Sequence, residues 1–149
     1  MTITTTTHLN FVDGRAQAAL EFWAAVFGGD ALIRTYGDFG MPAELPDAAK
    51  VVFGQVTADN GFRIMAYDVP GGGAPRTGST RRQNGTTVTD EAVFVSVSGE
   101  SLAEIDTFWS GLSDGATVIE PLAASAWSPG FGMLTDRFGV TWVFDVRAA

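Results

Sequence analysis

The chain has no cysteine and a single histidine. The first absence excludes disulfides, thiolate metal sites and cysteine nucleophiles, and it fits a reducing compartment. Positive charge is scarce as well: 9 Lys and Arg stand against 17 Asp and Glu, for a net charge of −8. That balance argues against nucleic acid as a partner, which needs a basic surface. No apolar run approaches the length of a membrane span, so no membrane partner is expected. The start, Met1-Thr2-Ile3-Thr4-Thr5-Thr6-Thr7, has neither the basic flank nor the apolar centre of a signal peptide. Asn84-Gly85-Thr86 matches a glycosylation acceptor, but without a secretion signal the match reads as chance. A cytoplasmic protein is the expectation. No Gly-x-Ser-x-Gly elbow accompanies His8, so a serine triad has little support. Gly71-Gly72-Gly73 follows a strand pattern, but no helix starts there, and a phosphate or dinucleotide loop needs one.

What the chain does have is a repeat. Phe53-Gly54-x-x-Thr57-x-x-x-Gly61 returns as Phe131-Gly132-x-x-Thr135-x-x-x-Gly139. Upstream, Phe22-Trp23, Gly29 and Ile33 return as Phe108-Trp109, Gly115 and Ile119. The repeat is about half the chain. With 46% hydrophobic and 17% charged residues, 149 residues make one globular domain with a sizeable core. Two copies of a unit too small to close a core alone imply a pseudo-symmetric domain with a cavity between its halves.

Each copy reads β-α-β-β-β. In the first (7–69), a strand over 7–12 is broken at Asp13-Gly14, with Asp13 as a candidate helix cap. Ala16, Ala19, Leu20, Trp23, Val26 and Phe27 then recur at helical spacing. Strands follow at 31–36, 51–57 and 62–67, the last two joined by the hairpin signal Asp59-Asn60-Gly61. In the second (91–147), a strand over 92–97 precedes the capping box Ser101-x-x-Glu104. A buried stripe of Leu102, Ile105, Phe108, Trp109 and Leu112 follows, then strands at 117–120, 131–135 and 140–146. Residues 70–90, rich in Gly, Pro, Thr and Arg, read as a mobile linker. Its Arg76, Arg81 and Arg82 either bind an anion or are a solvated loop. Residues 37–50 read as a rim or flap.

This pattern resembles the vicinal oxygen chelate superfamily of glyoxalase, bleomycin-resistance and extradiol-dioxygenase relatives, and within it the PhnB-like branch that is often labelled a 3-demethylubiquinone methyltransferase. The resemblance rests on His8-Leu9-x-Phe11 with Gly14-x-Ala16-x-x-Ala19-Leu20-x-Phe22-Trp23-x-x-Val26-Phe27-Gly28-Gly29. Ile64-Met65-x-x-Asp68 and Trp127-x-x-x-Phe131-Gly132-x-x-x-Asp136-x-Phe138-Gly139-Val140-x-Trp142 extend it. It implies an α+β fold in which two tandem βαβββ units form a curved mixed sheet around a cup, usually as a homodimer. Catalytic relatives hold a divalent metal in the cup, on side chains from the first and last strand of each unit. Carried over residue by residue, those positions fall on His8, Met65, Val143 and a residue near Phe94, with Ala92 or Ser96 reached by slippage and Glu91 just outside. Imidazole and carboxylate suit hard or borderline ions, whereas a thioether and an isopropyl group do not. No metal cofactor is therefore expected. If zinc, nickel, manganese or iron does bind, His8 and Glu91 are its ligands, ahead of Asp68 and Asp145. Nothing supports S-adenosylmethionine binding.

Strand alternation predicts the lining of the cup. His8 shares a face with Asn10; Arg63, Met65 and Tyr67 share one; Thr141, Val143 and Asp145 share one, while Trp142 and Phe144 turn to the helices. His8 and Tyr67 are the candidate catalytic pair, since a near-neutral imidazole is the natural proton carrier. Asn10, Arg63, Met65, Trp127, Phe131 and Val143 are candidate ligand contacts. Arg63 suits a carboxylate, phosphate or enolate, or else pairs with a neighbouring acid. Trp127 and Phe131 either stack on a flat ligand or pack against a partner subunit. The expected partner is a small molecule, partly aromatic or anionic. Three functions compete: metal-independent binding, an enzyme (lyase, isomerase or dioxygenase), and an interaction module whose cup is filled by its own side chains.

Overall fold

A computed structural model describes residues 2–75 and 77–147. The chain divides into two compact units, 1–76 and 77–149. In the first, β1 (His8–Phe11), α1 (Ala16–Phe27), β2 (Asp30–Thr35), β3 (Val51–Thr57) and β4 (Arg63–Asp68) form a sheet of order β1-β4-β3-β2. In the second, β5 (Thr80–Gln83) and β6 (Thr86–Thr89) pair as a hairpin. They are followed by β7 (Val95–Gly99), α2 (Leu102–Ser113), β8 (Thr117–Ala123), β9 (Phe131–Thr135) and β10 (Thr141–Val146), in a sheet of order β7-β10-β9-β8. Both four-stranded sheets are mixed: the first strand runs parallel to the last, and the other pairs are antiparallel. The two βαβββ units read from the sequence are thus present.

The repeated Phe-Gly has a packing reason. A Cβ on Gly54 would meet Leu20 Cδ1 at 2.2 Å, and one on Gly132 would meet Trp109 at 2.9 Å. In each unit the helix crosses its sheet at this glycine. The predicted stripe supplies the core: Ala16, Ala19, Leu20, Trp23 and Phe27 on α1, and Ile105, Trp109 and Leu112 on α2, are buried. Val26, Leu102 and Phe108 are half-buried. Trp142 and Phe144 are fully buried on the helical side, with the Phe144 ring edge-on to Trp109 at 5.4 Å.

Three local readings are corrected. Asp13 does not cap α1: its carboxylate accepts from Arg15 Nε, and the N-cap is Arg15. The first helical amide, Ala16 N–H, instead donates to Asp68 Oδ1 at 3.0 Å, while Val51 N–H donates to Asp68 Oδ2 at 2.8 Å. A buried carboxylate from β4 therefore caps the helix and fixes β3, which also removes Asp68 from the candidate metal ligands. The 101–104 box forms, but Glu104 reaches the amide of Glu100 rather than that of Ser101. Finally, residues 80–89 are not a structureless linker. Asn84 and Gly85 both have positive φ (52° and 75°), the turn that joins hairpin strands without splaying them. Arg76 lies outside the described residues.

Candidate functional site

In unit 1 the register decides what shares a face. His8 pairs with Met65 and Asn10 with Tyr67 across the parallel β1–β4 ladder, and Met65 pairs with Gln55 on β3. The opposite face, with Phe11, Ile64, Ala66 and Asp68, is buried under α1. The predicted lining thus lies together on the helix-free face, where His8, Asn10 and Arg63 are exposed and Met65 and Tyr67 half-buried.

The polar groups on this face are held by one another. His8 Nδ1 lies 3.1 Å from Asn10 Oδ1. A carbonyl oxygen only accepts, so Nδ1 is the donor in this contact and Nε2 is the ring nitrogen outside it. The Tyr67 ring is tilted over the imidazole at 5.4 Å. Arg63 makes no ion pair among the described residues, so the alternative of a structural acid partner is not realised. Two groups here escaped the sequence reading. Gln55 enters through the register. The Tyr36 hydroxyl donates to the Asp68 carbonyl at 2.7 Å. Its pKa is raised, first by desolvation and then by the nearby charges of Tyr67, Asp68 and Asp47.

The same register in unit 2 pairs Ser96 with Val143, as His8 pairs with Met65. Of the residues offered for this position, the register selects Ser96, reached by slippage, over Phe94, which lies just before β7. The ligand positions implied by the resemblance therefore carry an imidazole, a thioether, a hydroxyl and an isopropyl group. No group of three or more His, Asp or Glu side chains suited to a metal ion occurs among the described residues. Glu91 is engaged elsewhere: its carboxylate accepts from Thr141 Oγ1 at 2.9 and 3.0 Å and from Thr80 Oγ1. Ser98 Oγ donates to Asp145. This donor set does not fit a divalent metal.

The helix-free face of unit 2 also differs in exposure. The β5–β6 hairpin lies over its β9 side. Thr87 Oγ1 contacts Met133 Sδ at 3.5 Å, and Thr80 joins Glu91 above Thr141. Met133 and Thr141, which share this face with Val143, are 1% exposed. Trp127 and Phe131 lie in this unit, beside the hairpin's Arg82, around a cavity of about 510 Å³. Arg81 is exposed.

The chain matches the family model described as Glyoxalase/Bleomycin resistance protein/Dioxygenase superfamily over residues 5–144. Among solved structures it is similar to protein PA1353 from Pseudomonas aeruginosa, at 24% identity and TM-score 0.76, covering 98% of each chain. It is also similar to a Bacillus cereus structure titled putative 3-demethylubiquinone-9 3-methyltransferase, PhnB protein, at 24% identity and TM-score 0.69, covering 97% of this chain and 100% of that one. A glyoxylase/bleomycin resistance protein/dioxygenase domain from Frankia sp. EAN1pec aligns at 14% identity and TM-score 0.62, over 99% and 93% of the two chains. No curated protein matches the chain.

Proposed function

The chain belongs to the glyoxalase/bleomycin resistance protein/dioxygenase superfamily, and from that membership we propose that it binds a small, partly aromatic or anionic molecule without the metal of the catalytic relatives. One observation carries this reading. The strand positions implied as metal ligands bear Met65, Ser96 and Val143 beside His8, while the face around His8 remains open and polar at its rim. Arg63 supplies charge for an anionic group, Asn10 and Gln55 supply hydrogen bonds, and Met65 and Tyr67 supply apolar contact. A few polar groups on an apolar surface are the usual make-up of a small-molecule site. The PhnB-like affiliation, a homodimeric state and a cytoplasmic location belong to the same proposal. Among the described residues no helix is long and apolar enough to cross a membrane.

Metabolite-dependent thermal shift tests the reading. A true ligand raises Tm for the wild type and raises it less for Arg63→Ala and His8→Ala. A ligand that stabilises all three equally contradicts it.

A second reading, enzymatic proton transfer, is favoured by the His8–Asn10 contact, which engages Nδ1 and leaves Nε2 outside it. Within the superfamily that points to a lyase or isomerase, with His8 as base and Tyr67 as partner. His8→Ala separates the readings: loss of turnover with ligand affinity retained supports the enzyme, and loss of binding alone supports the binder.

A further inference from the structure

We propose that unit 2 carries its own ligand site, specific for a flat aromatic molecule with a single carboxylate, in the cavity between the β5–β6 hairpin, β8 and the 124–130 loop. The reasons lie in Arg82, Glu120, Trp127 and Phe131 around that cavity.

Arg82 comes from the hairpin and is fixed in two ways. Its guanidinium sits over the Phe131 ring, 4.9 Å from the centroid, and Nη1 donates to Thr87 Oγ1 at 2.9 Å. A carboxylate is a strong acceptor whose geometry matches a guanidinium. The cation is thus pre-positioned at the cavity wall.

The walls suit a flat apolar body. Trp127 lines the cavity and is 90% exposed, which leaves its indole face open to a flat ligand. Pro121 and Ala123 line the cavity alongside Phe131. The volume of about 510 Å³ falls within the range of small-molecule pockets, roughly 300–1,000 Å³. Glu120 sets the charge. It is half-buried and in no ion pair among the described residues, so it repels a second negative group while Arg82 attracts the first.

The site is built from unit 2 residues alone, and variants separate it from the unit 1 face. Binding of 2-naphthoate, 2-naphthylmethanol and naphthalene-2,6-dicarboxylate to the intact protein is measured by calorimetry, with Trp127 emission as a second readout. The other tryptophans are buried, so Trp127 dominates the solvent-exposed emission. The expected result is 1:1 binding of 2-naphthoate with a shift of Trp127 emission. Affinity falls about tenfold in Trp127→Ala through lost aromatic contact and about tenfold in Arg82→Gln through the lost charged hydrogen bond. It is unchanged in His8→Ala. The alcohol and the dicarboxylate bind more weakly. Trp127 is a surface side chain, so its variant tests the site without unfolding the hairpin. If 2-naphthoate fails to bind, if the alcohol binds as well, or if binding falls in His8→Ala but not in Trp127→Ala, the inference is overturned. The last result would place the ligand on the unit 1 face and leave the proposed function standing.

Discussion

The helix-free faces of the two units share a register and differ in what covers them. His8 opposite Met65 in unit 1 corresponds to Ser96 opposite Val143 in unit 2. In unit 1 the face presents exposed His8, Asn10 and Arg63. In unit 2 a hairpin that has no counterpart in the first copy buries Met133 and Thr141 and delivers Arg82 beside Phe131. Duplication therefore fixes the frame, and the β5–β6 hairpin distinguishes the covered face from the exposed one. The repeat explains the glycines under the helices; it does not explain the difference in ligand chemistry.

The largest expected effect breaks unit 1 alone. Asp68→Ala removes the acceptor for the Ala16 and Val51 amides. Orphaning buried donors of a charged hydrogen bond should cost about 3 kcal/mol of unfolding free energy in urea denaturation. A loss below about 1 kcal/mol would show that the cap is not what holds β3 and α1 together.

The symmetric comparison comes next. Gly54→Ala and Gly132→Ala place a methyl group against Leu20 and Trp109 respectively. Overpacking should cost about 1–3 kcal/mol in each case. Similar values confirm that the Phe-Gly repeat marks one crossing made twice. A neutral Gly132→Ala would break the equivalence.

A smaller effect sharpens the difference. Glu91→Gln weakens the links from the hairpin to Thr141. The expected loss is about 1 kcal/mol, with faster amide exchange across residues 80–89 and none in unit 1. Equal acceleration in both units would mean that the hairpin is not a local cover.

The smallest concerns the 37–50 loop of unit 1. Asp47 accepts from Lys50 at 2.8 Å and from the Gly71 amide at 2.9 Å. Those contacts hold the Asp47 carboxyl below its ordinary value, and Asp47 holds the Lys50 ammonium above its own. A lowered carboxyl stabilises above its unfolded pKa, and that contribution is lost as pH falls through the folded value. A raised ammonium stabilises below its unfolded pKa and loses its contribution as pH rises through the folded value. Exchange of the Gly71 amide should therefore speed up toward acid beyond its intrinsic pH trend. In Asp47→Asn this extra acid dependence should vanish. If it persists, another group ties the loop.

Much of this was legible in the sequence because it depends on period and spacing. The strand faces of His8, Asn10, Arg63, Met65 and Tyr67 follow from alternation, and the hidden Trp142 and Phe144 from the same rule. What was not legible depends on contacts between distant segments. Nothing in the spacing says that Asp68 caps α1 from 52 positions away, or that Ser96 rather than Phe94 faces Val143. The hairpin did leave a signal. Asn84-Gly85 sits between Thr-rich flanks, the same type of turn signal that marked Asp59-Asn60-Gly61. The surrounding Gly, Pro and Arg obscured it, and with it the meeting of Arg82 with Phe131.

The central claim is that the unit 1 face binds its ligand through side chains and not through a metal. Elemental analysis tests it most directly, on wild type and His8→Ala purified without chelator and dialysed against zinc, nickel, manganese and iron(II). The account predicts well under one equivalent of any metal, and the same content in both proteins. Near-stoichiometric metal in the wild type, lost in His8→Ala, would contradict it.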